Sequence, residues 1–129
     1  MTIEENINWS DKTILIVDDE DTNVEYIFLI LKKKFEGINI LIANDGCVAV
    51  EIYKNHDDIN LVLMDIRMPL MSGIEAAKII KSLKNNLSII STTAYCNTEK
   101  NISNNIIFDD FIVKPINKDI LIQTIQKYI

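Results

Sequence analysis

The 129-residue chain is short of cysteine, histidine, proline, glycine, basic charge and long apolar runs, and each shortage removes a class of protein. Two cysteines, Cys47 and Cys96, have no paired spacing that would suggest a disulfide framework or a thiolate metal site, so both are expected as reduced thiols. The single histidine, His56, stands without a patterned set of ligands, and its default place is the surface. No apolar stretch approaches the roughly twenty residues needed to cross a bilayer. Residues 1–11 lack the charged start and hydrophobic middle of a secretory leader, so the chain is expected in the cytoplasm with no direct membrane contact. Lys and Arg number 13 against 19 Asp and Glu, and the net charge of -6 lacks the basic footprint that direct nucleic-acid binding requires. The strongest positive cluster, Lys32-Lys33-Lys34, fits the solvated end of a helix. There is no internal repeat and no low-complexity tract.

What is present is 48% hydrophobic content, enough for one domain to bury a proper core, and apolar runs that end in charge. Leu61-Val62-Leu63-Met64 is too short for a helix and reads as a strand buried on both faces. Pro69 has no N–H for a ladder, so the strand finishes before it and leaves Asp65 at its carboxyl edge. In an open parallel sheet, ligands bind outside that edge. An aspartate there can also simply cap a strand or begin a turn. A second run, 13–17, ends in Asp18-Asp19-Glu20. Clustered carboxylates repel and raise one another's pKa; a hard divalent cation, which takes oxygen ligands, removes the conflict. An acidic helix N-terminus accounts for Glu20 and Asp21 but less well for both Asp18 and Asp19. A third run, 111–113, closes on Lys114-Pro115. Alone, Lys114 would be a solvated loop charge; at the same sheet edge as three aspartates it becomes a point charge able to meet an anion.

Between these runs the hydrophobic period alternates. After strand 13–17, Asp21 or Thr22 caps a helix with Val24, Ile27, Phe28 and Leu31 on one stripe, ended by Gly37. Strand 38–42, a turn at Asn44-Asp45-Gly46, and helix 47–54 with Ala49, Ile52 and Tyr53 on one face follow. Strand 61–65 then leads through Ser72-Gly73 to helix 74–84, with Ala76, Ile79, Ile80 and Leu83 inward. Strand 87–92 precedes a helix over 97–105, whose asparagines and serine give it poor propensity. Strand 109–113 and helix 117–128, capped by Asn117 and burying Leu121, Ile125 and Tyr128, complete a five-strand, five-helix α/β pattern. Short crossovers between alternating elements predict a doubly wound parallel sheet covered on both faces. Residues 1–11 read as a lead-in or linker before a domain over 12–129, with Trp9 packing either on this domain or on a neighbour.

Asp18-Asp19, Asp65, Thr93-Ala94 and Lys114-Pro115, each following an apolar run, together resemble the receiver domain of two-component response regulators. Met64-Asp65-Ile66-Arg67-Met68-Pro69 with Gly73 is similar to that family's phosphoacceptor signature, and 8–12 with Asn23 resembles the start of receivers in hybrid sensor kinases. The resemblance implies a flavodoxin-like sheet of order 2-1-3-4-5. It implies Mg2+ on Asp18, Asp19, Asp65 and the backbone carbonyl of Arg67, and phosphoryl transfer onto Asp65 from a sensor histidine kinase or a histidine phosphotransfer domain. Lys114 and Thr93 would meet the phosphoryl oxygens. Thr93 and Phe111 would form the conformational switch, although Thr93 also reads as an ordinary strand residue and Phe111, lacking a phenolic hydroxyl, as core. Arg67 and Tyr95 would screen attacking water and slow dephosphorylation. A partner is expected on the face made by helix 97–105, strand 109–113 and helix 117–128. The implied activity is self-catalysed phosphotransfer and autodephosphorylation, or that of a histidine kinase if the chain is part of a hybrid one. A pseudo-receiver that only binds proteins would need to lack part of the set Asp18, Asp19, Asp65, Thr93 and Lys114. A small haloacid-dehalogenase-like phosphatase would want an Asp-x-Asp pattern that Asp18-Asp19-Glu20 does not supply.

Overall fold

In the computed structural model, which describes residues 8–84, 86–94 and 107–129, five strands form one parallel sheet. They are β1 (Thr13–Val17), β2 (Asn39–Ala43), β3 (Leu61–Asp65), β4 (Ser88–Thr93) and β5 (Asp110–Val113), in the order β2-β1-β3-β4-β5. The helices are α1 (Asp21–Lys34), α2 (Gly46–Asn55), α3 (Gly73–Leu83) and α4 (Lys118–Gln126). Four helices are thus seen among the described residues; the one expected over 97–105 lies outside them, as do Tyr95 and Cys96.

β1 and β3 are buried along their whole length, which is why they read as unbroken apolar runs. Alternate side chains feed two cores. Leu15, Val17, Val62 and Met64 pack with α2 and α3, while Ile14, Ile16, Leu61 and Leu63 pack with α1 and α4. β2 is an edge strand, and Ile42 is largely exposed. The register sets Val17 beside Ala43 and Met64, and Asp65 beside Thr92, so the last residues of β1, β3 and β4 share one edge.

Local chemistry sets the helix starts. Asp45, Ser72 and Asn117 accept from the backbone N–H groups of Val48, Glu75 and Ile120, the usual remedy for orphan donors in the first turn. Gly46, expected in a turn, instead opens α2 and is buried: a Cβ there would lie 2.7 Å from the Met71 carbonyl oxygen. At the other end of a helix, Leu83, expected inward, is half exposed in the last turn of α3; Ala77 takes the buried place. Tyr128 lies just beyond α4 and is only partly buried, its hydroxyl directed to the Asp109 carbonyl and the Asp110 carboxylate.

The stretch before β1 is tied to the domain. Trp9 donates its backbone N–H to the Glu36 carbonyl at 2.9 Å, and its ring stands edge-on to Phe35 with ring centroids 5.1 Å apart. Gly37, at φ +85, lets Asn8 approach where a Cβ would sit 2.6 Å from its Oδ1. Residues 8–11 are therefore held against the packed body.

Candidate functional site

Three strand ends and one long side chain build the site. β1 delivers Asp18, 1% exposed, whose N–H donates to the Ala43 carbonyl and whose Oδ1 accepts from the Glu20 N–H at 2.9 Å. Asp19 follows and faces solvent. β3 delivers Asp65, 5% exposed, and the chain leaves at Ile66, whose N–H donates to the Thr92 carbonyl. One carboxylate oxygen from each of Asp18, Asp19 and Asp65 lies within 4.8 Å of the others. β5 delivers Lys114, whose N–H donates to the Thr93 carbonyl at 2.6 Å and whose Nζ reaches Asp18 Oδ2 at 3.1 Å and Asp65 Oδ1 at 3.3 Å.

β5 can do this because Asp109, just before it, is clamped to β4. Its Oδ2 accepts from the Ile89 N–H at 2.8 Å and from Lys81 Nζ at 3.0 Å, while its own N–H donates back to the Ile89 carbonyl. On the opposite side, Gly73 opens α3 against the acceptor strand. Its N–H donates to the Ile66 carbonyl at 2.8 Å, and a Cβ on it would lie 2.1 Å from the Asp65 carbonyl oxygen. The sequence shows Gly73 as part of a signature; only the packing shows that the missing Cβ is what lets α3 start there.

The electrostatics follow from this crowding. Burial, then the neighbouring Asp18 charge, pushes the Asp65 carboxyl up to about 6, with Lys114 opposing and Asp19 adding. Burial alone would depress the Lys114 ammonium; the hydrogen bond and charge of Asp18, with those of Asp65, outweigh it and hold the ammonium above its usual value. Three carboxylates against one ammonium leave two negative charges in a half-open pocket, an all-oxygen donor set that fits one hard divalent cation.

Of the other residues singled out in the sequence, Thr93 is buried and closes β4, one residue later than expected, opposite Val113. Phe111 is half-buried on β5 in register with Ser91, hence on the same side of the sheet as Thr93. Arg67 lies just after β3 and is exposed. His56 and Cys47 lie at the two ends of α2, both exposed, and neither belongs to the acidic cluster.

The sequence pattern of the response regulator receiver domain matches residues 14–126. Similar curated proteins include hybrid signal transduction histidine kinase I of Dictyostelium discoideum, 32% identical over 127 aligned residues that cover 90% of this chain and 7% of the kinase. A cyclic di-GMP phosphodiesterase of Thermotoga maritima is 38% identical over 112 residues, 84% of this chain and 28% of that enzyme. The chain thus spans a minor part of the curated relatives it matches. Among solved structures, response regulator TrrA of Thermotoga maritima in complex with Mg(2+)-BeF superposes with a TM-score of 0.83 at 34% identity, covering 92% of this chain and 99% of that one. The receiver domain of Saccharomyces cerevisiae Ssk1, solved with the histidine phosphotransfer protein Ypd1, is also similar, with a TM-score of 0.81, 28% identity, and coverage of 91% and 88%.

Proposed function

The chain belongs to the response regulator receiver domain family, and from that premise we propose that Asp65 accepts a phosphoryl group from a phosphohistidine on a sensor kinase or histidine phosphotransfer protein. The observation that carries this reading is Asp65 itself, a nearly buried carboxylate at a strand end, with Lys114 at 3.3 Å and two more carboxylates beside it. One Asp65 oxygen forms a bond to phosphorus as the P–N bond to the donor imidazole breaks. The electron pair returns to the imidazole nitrogen, which takes up a proton. Lys114 holds the attacking carboxylate in place and faces the phosphoryl oxygens, and Thr93 supplies a hydroxyl from the end of β4.

Asp18, Asp19 and Asp65, with the Arg67 carbonyl as a further donor, would hold Mg2+, and the similar TrrA structure carries that ion. When bound, it supplies positive charge against the transferring phosphoryl group. Asp18 is held in place by Lys114 and by the Glu20 N–H. Pairing with a histidine phosphotransfer protein is supported by the Ypd1–Ssk1 complex. We place the site in the cytoplasm and the output face on β5, α4 and the helix expected over 97–105, which lies outside the described residues, next to the switch pair Thr93 and Phe111. The described helices contain none long and apolar enough to cross a membrane.

Intact mass after incubation with Mg2+ and acetyl phosphate tests the reading. One added phosphoryl group is expected, absent from Asp65→Asn and from a chelated sample. No adduct together with no magnesium binding would sink it in favour of a protein-binding pseudo-receiver. With the adduct in hand, its half-life should shorten in Arg67→Ala if that side chain screens water.

A further inference from the structure

The loop that leaves the acceptor strand carries a side chain that folding does not explain. It runs from Ile66 to Ser72 and is closed at its base, where the Gly73 N–H donates to the Ile66 carbonyl at 2.8 Å. Met68 and Met71 turn inward and pack on the core that α2 and α3 cover. Leu70, between them, does the opposite. It is 86% exposed, more than any other large apolar side chain among the described residues, and at φ 69 it is the one residue there besides glycine with a left-handed backbone. The Met71 N–H, donating to the Pro69 carbonyl at 2.8 Å, holds that turn. Exposure and conformation are separate costs, and glycine would avoid both. Strain kept beside a reactive group points to a use outside the fold.

The position of the loop limits what that use is. Asp65 is 5% exposed and ends β3 at the carboxyl edge, and the loop departs from that edge one residue later. A protein that presents a phosphohistidine to Asp65 has to lie over this edge, where Leu70 stands on the rim. Charge does not draw such a protein in. Asp18, Asp19 and Asp65 against Lys114 leave two negative charges at the mouth, the whole chain carries -6, and the incoming phosphoryl group is itself anionic. A bound divalent cation would bring the mouth only to neutrality. Attraction then has to come from a contribution that charge does not oppose, and covering an exposed leucine is one, worth about tenfold in affinity.

We propose that Leu70 is an apolar docking residue for the phosphodonor, seated against an apolar side chain beside the donor's phosphohistidine. This deepens the phosphoacceptor reading of Asp65 and rests on it. Leu70 touches no reacting atom; it positions the protein that brings one.

The test compares two donors on the full chain at one Mg2+ concentration: acetyl phosphate, and phosphorylated Ypd1, the histidine phosphotransfer protein of the similar Ssk1 complex. Leu70→Ser and Leu70→Gly remove the apolar side chain, and Leu70→Met keeps one. Transfer from subsaturating phospho-Ypd1 should slow about tenfold in Leu70→Ser and Leu70→Gly, with the change in KM and not in the saturated rate, and should stay near the parent in Leu70→Met. Labelling by acetyl phosphate should be the same in all four proteins. Leu70→Gly relieves the left-handed backbone as it removes the side chain, so slower transfer in it has no origin in weaker folding. Transfer from phospho-Ypd1 as fast in Leu70→Ser and Leu70→Gly as in the parent would overturn the proposal. An equal loss with acetyl phosphate would overturn it by showing that the leucine supports the pocket and not the partner. Labelling of the parent by acetyl phosphate without any transfer from phospho-Ypd1 would overturn it alone, whereas no adduct from either donor would overturn it together with the phosphoacceptor reading.

Discussion

Asp65 is an acid held against its own ionisation. Its carboxyl titrates at about 6 where the unfolded chain would titrate at 3.8, so the folded state binds that proton more tightly. The associated stability is present in full below the lower value and is lost as pH rises through the higher one. In chelator, Asp65→Asn should therefore gain on the parent between those two values and stay ahead at neutral pH. The expected gain is about 1–2 kcal/mol after allowance for screening at the pocket mouth, read as a difference in Tm across a pH series. A constant difference from acid to neutral pH would contradict it. Leu70, three residues before Gly73, shows a different tension: φ is 69 and the side chain is 86% exposed. A left-handed leucine with nothing to pack on costs about 1 kcal/mol, so Leu70→Gly should raise Tm slightly rather than lower it.

At the scale of elements, the acceptor strand and α3 meet through a missing methyl group. Gly73→Ala places a Cβ on the Asp65 carbonyl, where backbone must move, and should cost about 2–3 kcal/mol in chemical denaturation. Phosphoryl uptake from acetyl phosphate should slow with it, because the displaced residue is the acceptor. Phosphoryl uptake equal to that of the parent would separate α3 from the site. The caps are simpler: Asn117→Ala removes the acceptor for the Ile120 N–H and should cost about 1 kcal/mol. Elements were legible where one physical signal dominated. The unbroken runs of β1 and β3, the stripe of α1 and the proline after β3 each have a single cause. Leu83 and Gly46 were not, since a helical stripe does not show what its final turn will meet, and a glycine after Asn-Asp fits a turn as well as a helix start.

For the molecule as a whole, Trp9 is the sole tryptophan and ties residues 8–12 to the end of α1. Trp9→Ala should lower stability by about 2 kcal/mol, from a lost edge-to-face pair and lost burial, and emission from Trp9 in the parent should report unfolding of the domain. An unchanged denaturation midpoint would mean that this stretch contributes nothing to the fold. The sequence by itself determined the alternation of strands and helices, the two-sided burial of the central strands and the placing of acids and a lysine at strand ends, because hydrophobic period and chain-breaking residues act over a few neighbours. Tertiary structure alone decided that Lys114 bridges Asp18 and Asp65. Those partners lie 96 residues apart from Asp18 to Lys114, and only the register of β4 and β5, fixed by the Asp109 clamp, sets them at bonding distance. It alone also decided that the Tyr53 hydroxyl is buried without a partner, since a tyrosine on a helical stripe announces its ring but not what its far end will meet.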